Sequence, residues 1–331
     1  MRAWRVQQYG HYRDELHLAD DVAVPSASGA TSVVRVLAAG VNFSDILAIA
    51  GKYQVKAPLP FTPGSEVAGE VVEAGGSSKL RTGQFVVAMS LTGGFGEFTA
   101  VADNAAFPLP ESVDPLHAAA MLVTFQTSHV ALLHRANLRP GEWVLVHGGA
   151  GGVGTAAIQL AKRAGARVIA TAGGEEKLRV CEQCGAEAMI DYRRENLVER
   201  VQEITGGHGA DVIFDPVGGD IFDASTRCLA REGRLLVVGF SSGRIPTIAA
   251  NRILLKNISV VGVEWPSYLA HDRQVLEDAQ EDIWKGYREG ALRPVISRVL
   301  PLTGVADALA AIEARESYGK IVIDVAGLQT G

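Results

Sequence analysis

Thiols are scarce in this chain of 331 residues, and none comes early. The three cysteines are Cys181, Cys184 and Cys228. So sparse and odd a set gives no disulfide framework and fits thiols kept reduced in a cytosol. Before Cys181 there is no thiolate to hold a metal. Cys181-x-x-Cys184 lacks a second ligand pair, so it reads as helix packing rather than a zinc or redox centre. Positive charge is not in excess either. Lys and Arg number 31 against 37 Asp and Glu, a net charge of −6, which argues against nucleic acid or an anionic membrane as the main partner. Met1-Arg2-Ala3-Trp4-Arg5 has no apolar signal core, and no uninterrupted apolar run reaches membrane-spanning length. A cytoplasmic location is the expectation. The sequons at Asn42 and Asn257 then carry no weight.

What is present is glycine in a particular place. Trp143-Val144-Leu145-Val146-His147 reads as a buried strand, and Gly148-Gly149-Ala150-Gly151-Gly152-Val153-Gly154 follows it. An apolar-periodic helix then runs through Ile158, Leu160 and Ala161. Gly149, Gly151 and Gly154 fit G-x-G-x-x-G. In that pattern the first glycine permits a tight turn, the second lets backbone N–H groups approach a pyrophosphate, and the third lets the helix pack closely. The helix N-terminus offers its positive dipole end to the phosphates. A glycine turn alone is a weak signal. Strand before and helix after make it a specific one.

From Trp143 the chain alternates strand and helix. Strands are predicted at 143–147, 167–171, 188–191, 211–215, 234–239 and 258–263, the rhythm of a doubly wound parallel sheet. The last strand is mostly apolar, as if covered on both faces or paired with a second subunit. Earlier, short β-rich runs at 32–38, 66–73 and 84–88 lie between Gly and Pro and read as a small barrel. After Trp265-Pro266 the pattern becomes a helix over 273–289, a stretch over 292–300, a helix near 305–315 and a closing strand over 320–325. This tail is expected to rejoin the N-terminal part.

At this point four motifs resemble one family. Gly40-Val41-Asn42-Phe43-Ser44-Asp45, Pro63-Gly64-Ser65-Glu66-Val67-Ala68-Gly69, Gly93-Gly94-Phe95-Gly96-Glu97-Phe98 and His147–Gly154 are similar to segments of the medium-chain dehydrogenase/reductase superfamily. The likeness is to its zinc-free, zeta-crystallin-like NADPH:quinone oxidoreductases, and it covers essentially the whole chain. It implies an α/β protein with a β-rich GroES-like barrel domain, residues 1–124 with 266–331, and a doubly wound parallel-sheet Rossmann domain, residues 125–265. It also implies a homodimer paired through the last strand of the sheet.

The resemblance assigns site residues. Tyr53 matches a tyrosine facing the nicotinamide, either a hydrogen-bond or proton donor to substrate or a residue that only lines the cleft. Asn42 is implied to bond ribose or a substrate oxygen, and Asp45 to be structural. Thr127, Gly239, Phe240 and Ser242 are implied beside the nicotinamide, and Gly149, Ala150, Gly151, Gly152, Val153 and Gly154 around the pyrophosphate. The second strand ends Ala170-Thr171-Ala172-Gly173-Gly174, without the acid that usually binds a ribose 2′-hydroxyl. Lys177 follows, and Tyr192 and Arg315 match residues that contact a 2′-phosphate. NADPH is therefore the expected cofactor. Glu175 and Glu176 would oppose it if they faced the phosphate; as first-turn acids they suit the helix dipole instead. Gly239-x-Ser241-x-Gly243 imitates a hydrolase nucleophile elbow, but Pro246 follows where that motif needs a helix.

Metal chemistry is disfavoured by the residues. Zinc-dependent members place a histidine where this chain has Ser65, and the early cysteine is missing. A hydroxyl and Glu66 make a poor zinc site, so Glu66 is expected to be a structural carboxylate bonded to nearby backbone. Without a Lewis acid, reduction of a quinone or an α,β-unsaturated carbonyl remains feasible, because the acceptor is already electron-poor. An enoyl-thioester reductase is the alternative within enzymes, and an NADPH-binding structural or regulatory protein the alternative outside them. Elemental analysis of purified protein is expected to find far less than one zinc per chain, with activity indifferent to chelators. Stoichiometric zinc would overturn this reading.

Overall fold

A computed structural model describes residues 1–328. The chain divides into two compact units, Met1–Val123 with the chain from Pro294 onward, and Thr124–Arg293.

The first unit is built on strands. β1 (Ala3–Val6) and β2 (Leu16–Ala19) form a short antiparallel ribbon. β3 (Thr31–Val41), β4 (Glu66–Glu73), β5 (Phe85–Met89), β6 (Phe98–Ala102) and β7 (Ala106–Pro108) form most of the larger sheet. β3 is the axis of this sheet. One edge of it pairs with β4, and register shifts near Val33 and Val36 bend it. Its other edge is shared, with β6 on Thr31–Arg35 and a tail strand on Ala38–Val41. Such shifts let one strand turn a corner and serve two neighbours. Val34, Val36, Ile49, Phe61, Val67, Phe95 and Leu309 are buried in the core so formed.

The second unit carries β8 (Trp143–Val146), β9 (Arg167–Ala172), β10 (Ala188–Asp191), β11 (Ala210–Asp215), β12 (Leu229–Val237) and β13 (Ser259–Gly262). All pairings are parallel, in the order β10-β9-β8-β11-β12-β13. The order reverses between β8 and β11, which opens a crevice at the carboxyl ends of those strands. Leu145, Ile169, Ile190, Ile213 and Leu235 are buried, as strands covered on both faces require.

One expectation changes, and one element is new. The return of the tail begins at Pro294, not at residue 266. The helix Arg273–Arg288 groups with the second unit because its buried stripe of Leu276, Ala279, Ile283 and Trp284 is joined there by polar ties. Gln126 Nε2 donates to Gln280 Oε1 at 2.7 Å, and Arg163 holds Asp282 with two bonds of 2.7 and 2.9 Å. Only then do β14 (Ile296–Pro301) and β15 (Lys320–Asp324) add to the first sheet, β15 antiparallel to β3. Second, the helix Pro115–His129 runs on through a wider π turn, Val130–Arg135. By length and composition this 21-residue run could cross a membrane, but 78% of its apolar window is buried within the protein, as in a core helix.

Among the described residues β13 is the outer edge of its sheet, pairing with β12 alone, and Val260 and Val261 are half-buried. The helix Ala250–Lys256 before it buries none of its residues, and Leu254 and Leu255 are 74% and 75% exposed.

Candidate active site

In the second unit, β8 leads into the glycine turn at the point where strand order reverses. The left-handed residue of that turn is Gly148, φ +58°, one place before the first glycine of the fingerprint. Gly149 is needed for space: a Cβ there would lie 2.9 Å from both Ala170 Cβ and Cys181 Sγ. Its N–H donates to Thr171 O at 2.8 Å, tying turn to β9. A Cβ on Gly154 would collide with the Gly148 carbonyl oxygen, so the helix Gly152–Arg163 starts hard against the turn. Gly151 caps that helix without a side chain. No side-chain oxygen of the cap therefore competes with an anion for the first-turn N–H groups. Gly149, Ala150, Gly151, Gly152, Val153 and Gly154 are the residues that would surround a pyrophosphate held by this turn.

His147 lies beneath the cradle and is fully buried. Its ring nitrogens meet Thr171 Oγ1 at 3.2 Å and Ser225 Oγ at 2.8 Å. Burial pushes its pKa down to about 4, against a weak opposing pull from Asp215, so it ties β8, β9 and the helix Gly219–Cys228 together as a neutral ring. Cys181 and Cys184 are buried as packing residues. Burial pushes their thiols up to about 12 and about 11, which leaves them protonated at neutral pH.

β9 ends at Ala172, and Gly173 and Gly174 turn the chain, Gly174 with φ +90°. A Cβ on Gly173 would meet Tyr192 Oη and Arg193 Nε, each at 2.7 Å. Both side chains thus lie on the glycine backbone. Asp191 is engaged locally, accepting from Arg193 N at 3.0 Å and Gly174 N at 3.4 Å. Lys177 stands half-buried in the first turn of the helix Glu175–Cys184. Glu175 turns along that helix to Arg179, 3.3 Å away. Tyr192 lies against Gly173, and beside it lies Arg193, which motif matching passed over. Its signal was a basic group next to Tyr192, just beyond the third strand. Arg315 belongs to the first unit, exposed and with φ +56°.

Thr127 is buried within its helix. Gly239, Phe240 and Ser242 lie in the loop after β12. Ser241 N and Ser242 N donate to Pro216 O and Val217 O, and Phe240 packs at Gly218. The next helix after Ser241 begins only at Ala250, which removes the nucleophile elbow.

The first unit holds a buried polar cluster. Lys320, the first residue of β15, is 5% exposed, and Glu66, the first residue of β4, is fully buried. Lys320 Nζ donates to Val41 O at 3.0 Å, Asn42 Oδ1 at 2.7 Å and Glu66 Oε2 at 2.8 Å. The other Glu66 oxygen accepts from Val123 N at 2.8 Å. Glu66 is therefore bonded to backbone, as expected, and also ion-paired to a lysine that motif matching did not single out. Asn42 Nδ2 donates to Glu66 Oε2 at 3.1 Å and to Gly40 O at 3.3 Å. Both amide hydrogens are engaged, so a ligand can only donate to Asn42. A substrate carbonyl oxygen cannot be its partner, which narrows the expectation for this residue. Tyr53 lies half-buried in the bend beyond the helix Phe43–Ile49, its backbone N–H on Leu47 O at 3.1 Å.

Two family models match the chain: an alcohol dehydrogenase GroES-like domain over residues 29–111 and a zinc-binding dehydrogenase over residues 152–281. The quinone oxidoreductase-like protein 2 homolog of Nematostella vectensis is 42% identical over 300 residues, covering 89% of this chain and 82% of its own. A solved structure of a probable oxidoreductase from Mycobacterium abscessus shares 38% identity at a TM-score of 0.88, over 98% of this chain and 99% of its own. The Escherichia coli quinone oxidoreductase complexed with NADPH superposes at a TM-score of 0.90 with 28% identity, over 98% of this chain and 100% of its own.

Asp45 completes the buried cluster. It accepts from Asn42 N at 2.7 Å and from Ser65 Oγ at 3.3 Å. Burial pushes its carboxyl up from 3.8 to about 7, against the Asn42 N–H, Lys320 and Ser65, while Glu66 adds to the rise. The folded state then holds this proton more tightly than the unfolded state does. The stability it contributes is full below the unfolded value near 3.8 and is lost as pH climbs through about 7. Asp45→Asn stays neutral and keeps an acceptor for Asn42 N. Its melting temperature relative to wild type is expected to rise by about 2–4 °C or more between about pH 5 and pH 8. Parallel melts that do not diverge with pH would contradict the buried, raised carboxyl.

Proposed function

Because the chain belongs to the medium-chain dehydrogenase/reductase superfamily, in its quinone oxidoreductase branch, we propose that it is an NADPH-dependent reductase of quinones or α,β-unsaturated carbonyl compounds, working without a metal. The observation that carries this is the pairing of a phosphate-binding glycine cradle with an acid-free second-strand end covered by Tyr192 and Arg193. The bound nicotinamide supplies hydride from its C4. Tyr53 donates a hydrogen bond to the substrate oxygen as negative charge develops there, or a proton to the enolate carbon that hydride transfer leaves. Lys320 already brings a positive charge to Glu66, so this carboxylate is not left to seek a cation. A panel of quinones, enones and enoyl-CoA thioesters, assayed by NADPH oxidation, tests the substrate class.

The cofactor end makes a definite demand. A charge-assisted phosphate contact contributes about 1.5–3 kcal/mol, roughly tenfold or more in affinity. NADPH is expected to bind at least that much more tightly than NADH in fluorescence titrations, and Arg193→Ala to narrow the gap. Equal affinities for the two cofactors in the wild-type protein would sink the assignment.

Removing a donor aimed at a developing oxyanion typically costs about 10²–10³ in turnover. Tyr53→Phe is expected to slow enone reduction on that scale, with NADPH affinity little changed. Quinone reduction should suffer less, since water can protonate its oxygens after hydride arrives. Wild-type enone turnover in Tyr53→Phe would leave the residue as a wall of the cleft only.

The edge of β13 and the exposed Leu254, Leu255 and Ile245 (71% exposed) support a homodimer, since an open apolar edge invites pairing. Light scattering at micromolar concentration is expected to give twice the chain mass, and Leu254→Glu with Leu255→Glu to shift it toward the monomer. A wild-type monomer under those conditions would refute the dimer.

A further inference from the structure

We propose that Lys320 is a positioning residue, which locks the carboxamide of Asn42 so that the amide offers its ligand a hydrogen-bond acceptor and never a donor. This rests on the function proposed above. Three strands converge to make the lock. Asn42 follows β3, Glu66 opens β4 and Lys320 opens β15. All three ammonium hydrogens are engaged, on Val41 O, Asn42 Oδ1 and Glu66 Oε2. Turning the amide over would set Asn42 Nδ2 against the ammonium and Oδ1 against Glu66 Oε2 and Gly40 O. Both ends would then face groups of their own kind, in a place with little water to screen them. The orientation is therefore dictated by charge rather than by packing.

The consequence concerns the ligand. The Asp45 N–H goes to the main-chain oxygen of Asn42 at 3.1 Å and also faces the side-chain oxygen in a capping box, so a ligand hydroxyl takes the second lone pair of Asn42 Oδ1 in place of that weaker contact. The partner it receives must carry a hydrogen. A hydroxyl meets that need, on a ribose of the cofactor or on the hydroquinone product. A quinone or enone carbonyl does not. The donor to a developing oxyanion must come from elsewhere in the site, which separates the task of Asn42 from that of Tyr53.

The test removes both charges together, because removing one partner of a buried pair leaves the other uncompensated. In the double variant Glu66→Gln with Lys320→Met, the oxygen of the introduced carboxamide still accepts from Val123 N–H, and its nitrogen draws Asn42 Oδ1 toward itself. Removing both charges leaves no uncompensated buried charge, so the double variant is expected to fold, and its thermal melt checks this. Function is expected to fall. If the hydroxyl is on ribose, the NADPH dissociation constant rises about tenfold. If it is on the product, the inhibition constant of benzene-1,4-diol, measured anaerobically, rises by that factor and NADPH binding holds. Either result supports the lock. A folded double variant with both constants within twofold of wild type overturns it and leaves Lys320–Glu66 a purely structural pair.

A second measurement needs no variant to fold. In the side-chain amide spectrum of the wild-type protein, both Asn42 Nδ2 hydrogens are expected to exchange slowly, with and without NADPH. Fast exchange of either hydrogen refutes the orientation. Should the wild type oxidise no NADPH with any quinone or enone, the proposed function falls, and this spectrum still decides the lock.

Discussion

One buried ammonium organises the β-rich unit. Lys320 is almost without water, and an isolated charge there would be costly by several kcal/mol. It persists because three strands deliver acceptors to it at hydrogen-bonding distance, two backbone or amide oxygens and one carboxylate. Those strands are fixed relative to one another by continuous ladders, β3 with β4 and β3 with β15. The ion pair depends on the register of the sheet, and a slip of one residue would turn Lys320 or Glu66 to the other face. Gly40 belongs to the same constraint. A Cβ at that position would run into the Glu66 carboxylate and the Ala119 carbonyl, so the closest approach in the cluster requires a missing side chain.

The Rossmann unit solves a different problem, how to gather negative charge without burying positive charge. Beneath the glycine turn it places His147, which burial keeps neutral, and Asp215, whose carboxylate is occupied by the N–H groups of Val217 and Gly218 at 2.8 and 2.9 Å. The turn itself carries no ionisable side chain to compete for the helix dipole. Positive side chains appear at the far end of β9, on the surface, where Arg193 lies across Gly173. Backbone N–H groups at one end and a guanidinium at the other are thus the groups this unit would offer to the phosphates of a dinucleotide.

Much of this was legible in the amino-acid sequence, and the reason is local periodicity. β4 and β10 fall where predicted, at Glu66–Glu73 and Ala188–Asp191, because Gly or Pro punctuates apolar runs of strand length. The glycine cradle was legible from its spacing between a strand and a helix, though spacing could not tell that Gly148 takes the left-handed turn and Gly149 the tight packing. The helix Pro115–His129 was not foreseen as an element, because it is apolar on nearly every side and shows no stripe. The tail helix Arg273–Arg288 showed its stripe plainly, but a stripe does not say which unit buries it. That depended on Gln126 and Arg163, more than a hundred residues earlier.

The least legible feature was the role of Lys320. Read alone, Lys320-Ile321-Val322-Ile323-Asp324 is a buried strand with a charge at each end, and a terminal lysine is ordinarily solvated. Its partners Asn42 and Glu66 are 278 and 254 residues away. Motif reading did find Asn42, Ser65 and Glu66, and read no zinc ligand set in them. It had no means to see that the same carboxylate and amide would be claimed by an ammonium from the other end of the chain. Ligand chemistry in this cluster is therefore decided by topology. β15 must return beside β3 before the amide of Asn42 has a direction, and only a directed amide can distinguish a hydroxyl from a carbonyl.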